Sequence, residues 1–182
     1  MAADMKTITE FLKQIGIEDL VHTGQKSYIG HNFSVRNDLE KWGCEEWLCL
    51  AGIFHSIYGT ERFQRFQLPW EQRPEVRELI GERAEEMAWW NCIMDRPTFD
   101  AAVGKQTVEP YTFLNRLTSE TIELTEAEFN DLCTLHLCDW LEQVGRSADW
   151  GYRREAYRGM AERLGGIALE SYDKVFANES TV

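Results

Sequence analysis

Apolar residues recur along most of the chain at intervals of three or four positions, which is the spacing of one face of an α-helix. One such stripe begins at His31 and continues through Val35, Leu39 and Trp42 before the chain reaches Gly43. Glycine commonly ends a helix because it adopts the left-handed backbone conformation without strain. The pattern therefore predicts an amphipathic helix that ends near Gly43.

The most apolar stretch of the chain runs from Trp47 to Phe54 and contains only apolar residues and glycine. His55 follows it directly, and Gly59 comes shortly after the histidine. The stretch is far shorter than the roughly 20 residues that a helix needs to span a bilayer. We therefore expect a buried core helix whose end presents a histidine to the interior of the protein.

Further helix signals occur on both sides of this stretch. Thr7 with Glu10, and Thr125 with Glu128, have the spacing of a capping box. In this motif the side chain of each of the two residues accepts a hydrogen bond from the backbone N–H of the other. A long helical pattern after residue 74 contains Gly81, where we expect a kink or a break.

The remaining patterns complete an all-α prediction. Helical spacing continues over 152–177, and the only strand-like run, 106–114, is interrupted by Pro110. We therefore predict a helical bundle that forms a single domain over 1–182, with its core at about 27–146 and two C-terminal helices over 152–177.

Charge and cysteine content narrow the range of functions. The chain has 182 residues and a formal net charge of −12, which disfavours binding to nucleic acids and to anionic membranes. The five cysteines form no CxxC pair, and the N-terminal residues show no secretory or transit pattern. We therefore expect reduced thiols, a cytoplasmic protein and a small-molecule substrate as its partner.

Ionisable residues occupy positions where the apolar stripes predict hydrophobic ones. They are His31, His55 and Asp139, and His136 lies one helical turn before Asp139 on the same face. A buried polar group without a partner costs about 1–3 kcal/mol, so we expect these side chains to face one another, with or without a metal between them.

Imidazole nitrogens and a carboxylate oxygen form a ligand set for iron, manganese and zinc. We predict a divalent metal site at His31, His55 and Asp139, with His136 as a further candidate ligand. The alternative is a metal-free cluster of buried hydrogen bonds.

The order of these residues resembles the HD-domain superfamily of metal-dependent phosphohydrolases. LAGIFHSIYGTERF, at residues 50–63, resembles the second metal helix of its guanosine-tetraphosphate hydrolase branch, and LCTLHLCDWLEQV, at 132–144, resembles the last metal helix. The order of HNF, WG, LAG, FHSIYGTE and IGERAE also resembles a small HD-like family found in bacteria and plants. The resemblance spans roughly 27–146 and implies an HD-like helical bundle.

The chain departs from the superfamily at its defining doublet. The family's His-Asp is His55-Ser56 here, and in the family the aspartate ligates the metal, bridging two ions in two-metal members. Serine is a poor ligand unless it is deprotonated, so one metal is favoured over two. The acidic pair that the hydrolase branch carries after the doublet is replaced by Gly59 and Thr60, with Glu61 next.

Hydrolysis of a phosphoester or a similar bond, and non-haem iron oxygenase chemistry, are both consistent with two histidines and one carboxylate. Tyr58, Glu61 and Arg62 are candidate catalytic residues at the mouth of the site, although Tyr58 also suits a packing role and Arg62 a solvated one. Trp89 and Trp90 are candidates to line an aromatic pocket. The alternative function is a metal-free binding or regulatory protein on a degenerate HD scaffold.

Overall fold

The computed structural model describes residues 2–17, 20–21, 26–105 and 109–179. Nine α-helices and one antiparallel pair of strands lie in this part of the chain: α1 (Met5–Gln14), α2 (Tyr28–Lys41), α3 (Glu46–Phe54), α4 (Arg73–Ile80), α5 (Glu82–Ile93), α6 (Arg96–Val103), β1 (Tyr111–Leu114), β2 (Thr121–Leu124), α7 (Glu126–Ser147), α8 (Arg154–Leu164) and α9 (Gly166–Phe176). The all-α prediction is confirmed.

The chain divides into two compact units, Met1–Cys92 and Ile93–Val182. The boundary falls at the end of α5, so a single domain over 1–182 remains a prediction. No helix in the described ranges is both long and apolar enough to cross a membrane.

The first unit is organised around the close packing of α2 and α3. Ser27 caps α2 by accepting a hydrogen bond from the Gly30 backbone N–H. On α3, a Cβ atom at Gly52 would lie 2.7 Å from Leu39 Cδ1, a distance that real Cβ atoms do not tolerate. Glycine at this position therefore lets the two helices approach closely enough to bring their buried faces together.

Two helix boundaries of this unit are informative. Asp4, rather than Thr7, caps α1, because its side chain accepts from the Thr7 backbone N–H at 2.8 Å. The sequence placed this cap three residues too late. The break predicted at Gly81 is confirmed, since α4 ends there and the glycine has φ +91°.

The second unit is built on α7, the longest helix of the described residues. Thr125 and Glu128 form the expected capping box, and the helix runs to Ser147. Tyr111 and Phe113 of β1 pair with Leu124 and Ile122 of β2 in a hairpin. β1 lies at the end of the strand-like run 106–114, of which 106–108 fall outside the described residues, whereas the sequence pattern did not reveal β2. The reason is that each strand has only four residues, too few to establish a period.

Candidate metal centre

Two buried histidines of the first unit face each other. His31 lies in the first turn and a half of α2, and His55 directly follows the last residue of α3. They are 0% and 1% exposed, and their Nε2 atoms are 3.3 Å apart. The rings meet edge to face at 81°, so the two nitrogens converge on one point instead of stacking.

The tautomer of His55 is fixed by the helix that carries it. Its Nδ1 lies 2.8 Å from the carbonyl oxygen of Gly52, which can only accept a hydrogen bond. Nδ1 therefore carries the proton in neutral His55, and Nε2 presents a lone pair towards His31. A backbone carbonyl bound to the distal nitrogen is one of the common ways in which proteins orient a metal-binding imidazole.

The backbone of His55 is held by α5. Its carbonyl oxygen accepts from Asn91 Nδ2 at 2.7 Å and from Cys92 Sγ at 3.3 Å. Asn91 is 3% exposed, so this bond is shielded from water. The imidazole is thus fixed by contacts at its ring and at its main chain, and sequence analysis identified neither α5 residue because their role depends on tertiary packing.

Ser56, which lies where the resemblance to HD-domain proteins leads one to expect an aspartate, is 2% exposed. Its hydroxyl donates to the Tyr28 hydroxyl oxygen at 3.0 Å, and the Tyr28 ring stacks on Phe63 with centroids 5.1 Å apart. The position at which the resemblance implies a carboxylate ligand therefore carries a hydroxyl that bonds a buried tyrosine.

Tyr58 belongs to a charged cluster in the same unit. Its hydroxyl donates to Glu85 Oε1 at 2.9 Å, and Arg73 and Arg77 also bond the Glu85 carboxylate, with Nε–O distances of 2.6 and 2.7 Å. Burial raises the pKa of Tyr58, and the neighbouring Glu85 charge adds to the rise. Tyr58 therefore keeps its proton at neutral pH and uses it to bind Glu85.

Glu85 is the centre of this cluster, with no exposed side-chain surface. Burial acts to raise the pKa of Glu85, but the hydrogen bonds from Arg73, Arg77 and Tyr58 outweigh it and hold the pKa below its ordinary value. The sequence segment containing Glu85 reads as a solvated charge run, so periodicity gave no signal for this ion cluster.

The other candidate residues of the site mouth lie at the surface. Glu61 and Arg62 are exposed in the segment after Gly59. Trp89 is half-buried, packs edge-on against Tyr58 with centroids 5.4 Å apart, and lies under the Arg73 guanidinium at 4.2 Å. The catalytic roles of Tyr58, Glu61 and Arg62 remain predictions.

The second unit carries the other two candidate ligands on α7. Asp139 is 9% exposed, and its Oδ1 accepts from Gln143 Nε2 at 2.8 Å. His136 is 1% exposed, and its Nε2 lies 2.8 Å from Arg153 Nη1. Arginine can only donate, so His136 Nε2 accepts, and the proton of the neutral ring lies on Nδ1. Both residues remain predicted ligands.

Arg153 explains this arrangement around His136. It forms a two-pronged ion pair with Asp100, and its Nη1 also lies 3.2 Å from the Tyr157 hydroxyl oxygen. Burial acts to lower the pKa of Arg153, but the hydrogen bond and charge of Asp100 outweigh it and raise the pKa. His136 therefore lies beside a permanent cation, and the lone pair of its Nε2 accepts a hydrogen bond from Arg153.

The geometry of the histidine pair fits one coordinated cation. For metal–nitrogen bonds of about 2.1 Å, adjacent ligand nitrogens lie about 3.0 Å apart in an octahedral site and about 3.4 Å apart in a tetrahedral one. The observed separation of 3.3 Å lies between these values. The same distance also allows a hydrogen bond in which His31 donates to His55, so metal-bound and metal-free states are both compatible with the fold.

Comparisons with known proteins agree with the fold. A family model described as a domain of unknown function, DUF6817, matches residues 11–96, which include His31 and His55 but not Asp139. A solved metazoan ortholog of SpoT, described as hydrolysing ppGpp with a role in starvation responses, is 13% identical, with a TM-score of 0.55 over 100% of both chains. No curated protein matches the chain. The fold is therefore all-α and HD-like, as the sequence resemblance implied.

Proposed function

We propose that this protein is a metal-dependent hydrolase that holds one divalent cation at His31, His55 and Asp139 and acts on a small phosphoester. The observation that carries the proposal is the buried His31–His55 pair with converging Nε2 atoms. With the Asp139 carboxylate, the three side chains offer two nitrogens and one oxygen, a set suited to zinc, manganese or iron. The HD-like fold is consistent with hydrolysis.

The cation would supply Lewis acidity for attack on a phosphorus centre. The protein's part is to fix His55 through Gly52, Asn91 and Cys92, and to exclude water with the apolar faces of α2 and α3. Arg62 is proposed to attract an anionic substrate to an otherwise acidic protein. Glu61 is proposed to contact substrate at the same mouth, whereas the buried Tyr58 hydroxyl is bound to Glu85.

One cation is proposed because the doublet position is Ser56. A second metal would need the bridging carboxylate that this position carries in two-metal HD proteins. Here the hydroxyl bonds Tyr28 instead. We therefore propose only phosphoesters that a single cation can activate as substrates. One compound to assay is ppGpp, which the structural neighbour is described as hydrolysing.

The test is metal analysis of protein purified without a His-tag. We expect about one equivalent of zinc, manganese or iron in the wild type, and loss of that metal in His31→Ala, His55→Ala and Asp139→Asn. Asp131→Asn, on α7 but outside the proposed set, is the control and should retain the metal. Phosphoester hydrolysis should then depend on the same three residues and should be abolished by chelation.

Metal-free wild-type protein that cannot be loaded with zinc, manganese or iron would contradict the proposal. Retention of metal by Asp139→Asn would remove the carboxylate from the ligand set while leaving the histidine pair.

A second candidate is a metal-free binding or regulatory protein on the HD-like scaffold. The Ser56–Tyr28 hydrogen bond favours it, because this bond satisfies the doublet position without a cation. The His31–His55 pair can likewise satisfy itself by one hydrogen bond. This candidate predicts no bound metal in the wild type and an unchanged fold in His55→Gln.

Oxygenase chemistry is a third outcome of the same measurement, since two histidines and one carboxylate also form the ligand set of non-haem iron oxygenases. Selective retention of Fe(II) over zinc and manganese, with oxygen consumption in the presence of a substrate, would favour it over hydrolysis.

A further inference from the structure

Asn32, directly after His31 in α2, is fully buried, with 0% of its surface exposed. Neither its Nδ2 nor its Oδ1 has a hydrogen-bond partner among the residues that the structure describes. A carboxamide offers two N–H donors and an oxygen with two lone pairs, and nearly all such buried groups are satisfied in folded proteins. An amide left wholly unpaired in the interior therefore needs a physical explanation.

The position of Asn32 connects it with the histidine pair. In a helix, side chains four residues apart share a face, so Asn32 lies above Tyr28, and each side chain leans towards the N-terminal turn. Tyr28 is the residue whose hydroxyl bonds Ser56, next to His55. Asn32 thus adjoins the end of α2 where His31 and Tyr28 meet the end of α3.

Adjacent helical residues project about 100° apart, so Asn32 and His31 are poorly placed to ligate the same ion. A flanking amide can instead bind an oxygen atom that is itself bound to the ion. The carboxamide N–H groups suit an acceptor oxygen, such as that of a water molecule or a phosphoryl group. The nearby imidazoles would hold the cation to which that oxygen binds.

We propose that Asn32 is a substrate-binding residue of the His31–His55 site, whose amide N–H groups, unpaired in the ligand-free protein, bind an oxygen of the oxyanion when substrate is bound. This inference rests on the proposed function. It predicts a specific trade-off: the amide costs stability in the ligand-free protein and contributes affinity when the oxyanion is present.

Asn32→Leu tests both halves of the trade-off, because leucine has a similar shape and no polar atoms. Removing an unpaired buried amide should raise the Tm of the metal-free protein by about 2–4 °C. In zinc-loaded protein, titration with inorganic phosphate should show affinity weakened by about 10-fold, whereas zinc affinity, measured by competition with a chromophoric chelator, should change less than about threefold.

Asn115→Leu is the matched control. Asn115 is also buried, at 6% exposure, but its Oδ1 accepts from the Leu117 backbone N–H at 2.9 Å. Its replacement should lower the Tm and leave zinc and phosphate affinity unchanged. Opposite Tm changes in the two variants would identify the unpaired amide as the cause.

Unchanged phosphate affinity in Asn32→Leu overturns the inference, as does wild-type protein that binds zinc but no phosphate. If leucine does not fit at position 32 and Asn32→Leu lowers the Tm, Asn32→Ala decides, since it removes both N–H donors without adding bulk or charge. Normal phosphate affinity in Asn32→Ala then overturns the inference, and a loss of about 10-fold or more supports it. Wild-type protein that binds no metal instead overturns the proposed function, and this inference with it.

Discussion

The hydroxyl of Ser56 donates to the hydroxyl oxygen of Tyr28 across 3.0 Å in the interior of the first unit. This contact joins the residue after His55 to the first residue of α2, three positions before His31. It therefore ties together the two chain segments that carry the imidazoles. The residue that distinguishes this chain from a His-Asp protein helps to hold the histidine pair in place.

Ser56→Asp should make stability depend strongly on metal. The new carboxylate would be buried beside two imidazoles, so the metal-free variant should unfold at a lower temperature than the wild type. Added zinc or manganese should raise its Tm by more than it raises that of the wild type, because the cation compensates the buried charge. Differential scanning fluorimetry at several metal concentrations measures both effects.

Ser56→Ala is the control for that experiment. It removes only the hydrogen bond to Tyr28 and should cost about 1 kcal/mol in the free energy of unfolding. A metal-induced Tm shift equal to that of the wild type is expected. If Ser56→Asp gives no larger shift than Ser56→Ala, the doublet position does not face the cation.

Gly52→Ala should disturb the proposed metal site although Gly52 is not one of the proposed ligands. The added methyl group would lie 2.7 Å from Leu39 Cδ1, so α2 and α3 must separate or repack, at a cost of about 1–3 kcal/mol. Because His31 and His55 lie on these two helices, we also expect metal affinity to fall by about 10-fold or more. Urea denaturation and chelator competition measure the two changes.

The comparison for Gly52 is Gly104→Ala. Gly104 has a φ of −74°, and nothing lies within 4 Å of an added Cβ atom there. This variant should retain metal affinity and stability within about 0.5 kcal/mol of the wild type. Normal metal affinity in Gly52→Ala would mean that the spacing of α2 and α3 does not control the imidazole pair.

Glu85→Gln should destabilise the protein and change its acid sensitivity. Loss of the carboxylate leaves Arg73 and Arg77 without their buried counter-ion. Because the two arginines are partly exposed, we expect the free energy of unfolding to fall by about 3 kcal/mol, the lower end of the range for a broken buried ion pair. The pKa of Glu85 is lower in the folded protein than its ordinary value of 4.5. Its charge therefore stabilises the fold above about pH 4.5, and this contribution is lost as the pH falls through the folded pKa.

Free energies of unfolding measured from pH 7 to pH 3 should consequently fall less steeply in Glu85→Gln than in the wild type. Glu78→Gln, on the exposed face of α4, should reproduce the wild-type slope. Parallel slopes for wild type and Glu85→Gln would show that Glu85 does not contribute to acid denaturation.

His136→Ala addresses the fourth predicted ligand. Since His136 Nε2 accepts from Arg153, we expect the variant to retain metal content while losing about 2 kcal/mol of stability through the cavity and the unpaired guanidinium donor. The metal content of His136→Ala is compared with that of His55→Ala, which should lose the metal. Metal loss in both variants would show that His136 contributes to binding the metal.

Much of the helical architecture was predictable because it depends on local chemistry. The capping box of Thr125 and Glu128 and the break at Gly81 follow from short-range backbone geometry. β1 lies within the strand-like run 106–114, but β2 and its pairing with β1 were missed, since a strand of four residues is too short to show an alternating pattern. The α1 start was misplaced because Asp4 and Thr7 are both good caps and only the folded chain selects between them.

The sequence by itself determined which residues are anomalous: two histidines and an aspartate at apolar positions, and a serine where the HD superfamily has an aspartate. Tertiary structure alone decided that His31 and His55 meet through their Nε2 atoms. It also decided that Gly52 and Asn91 hold His55 by hydrogen bonds, and that Arg153 donates a hydrogen bond to His136. The physical reason is that helical periodicity specifies which face of a helix is buried, whereas hydrogen-bond partners depend on the packing of segments distant in sequence.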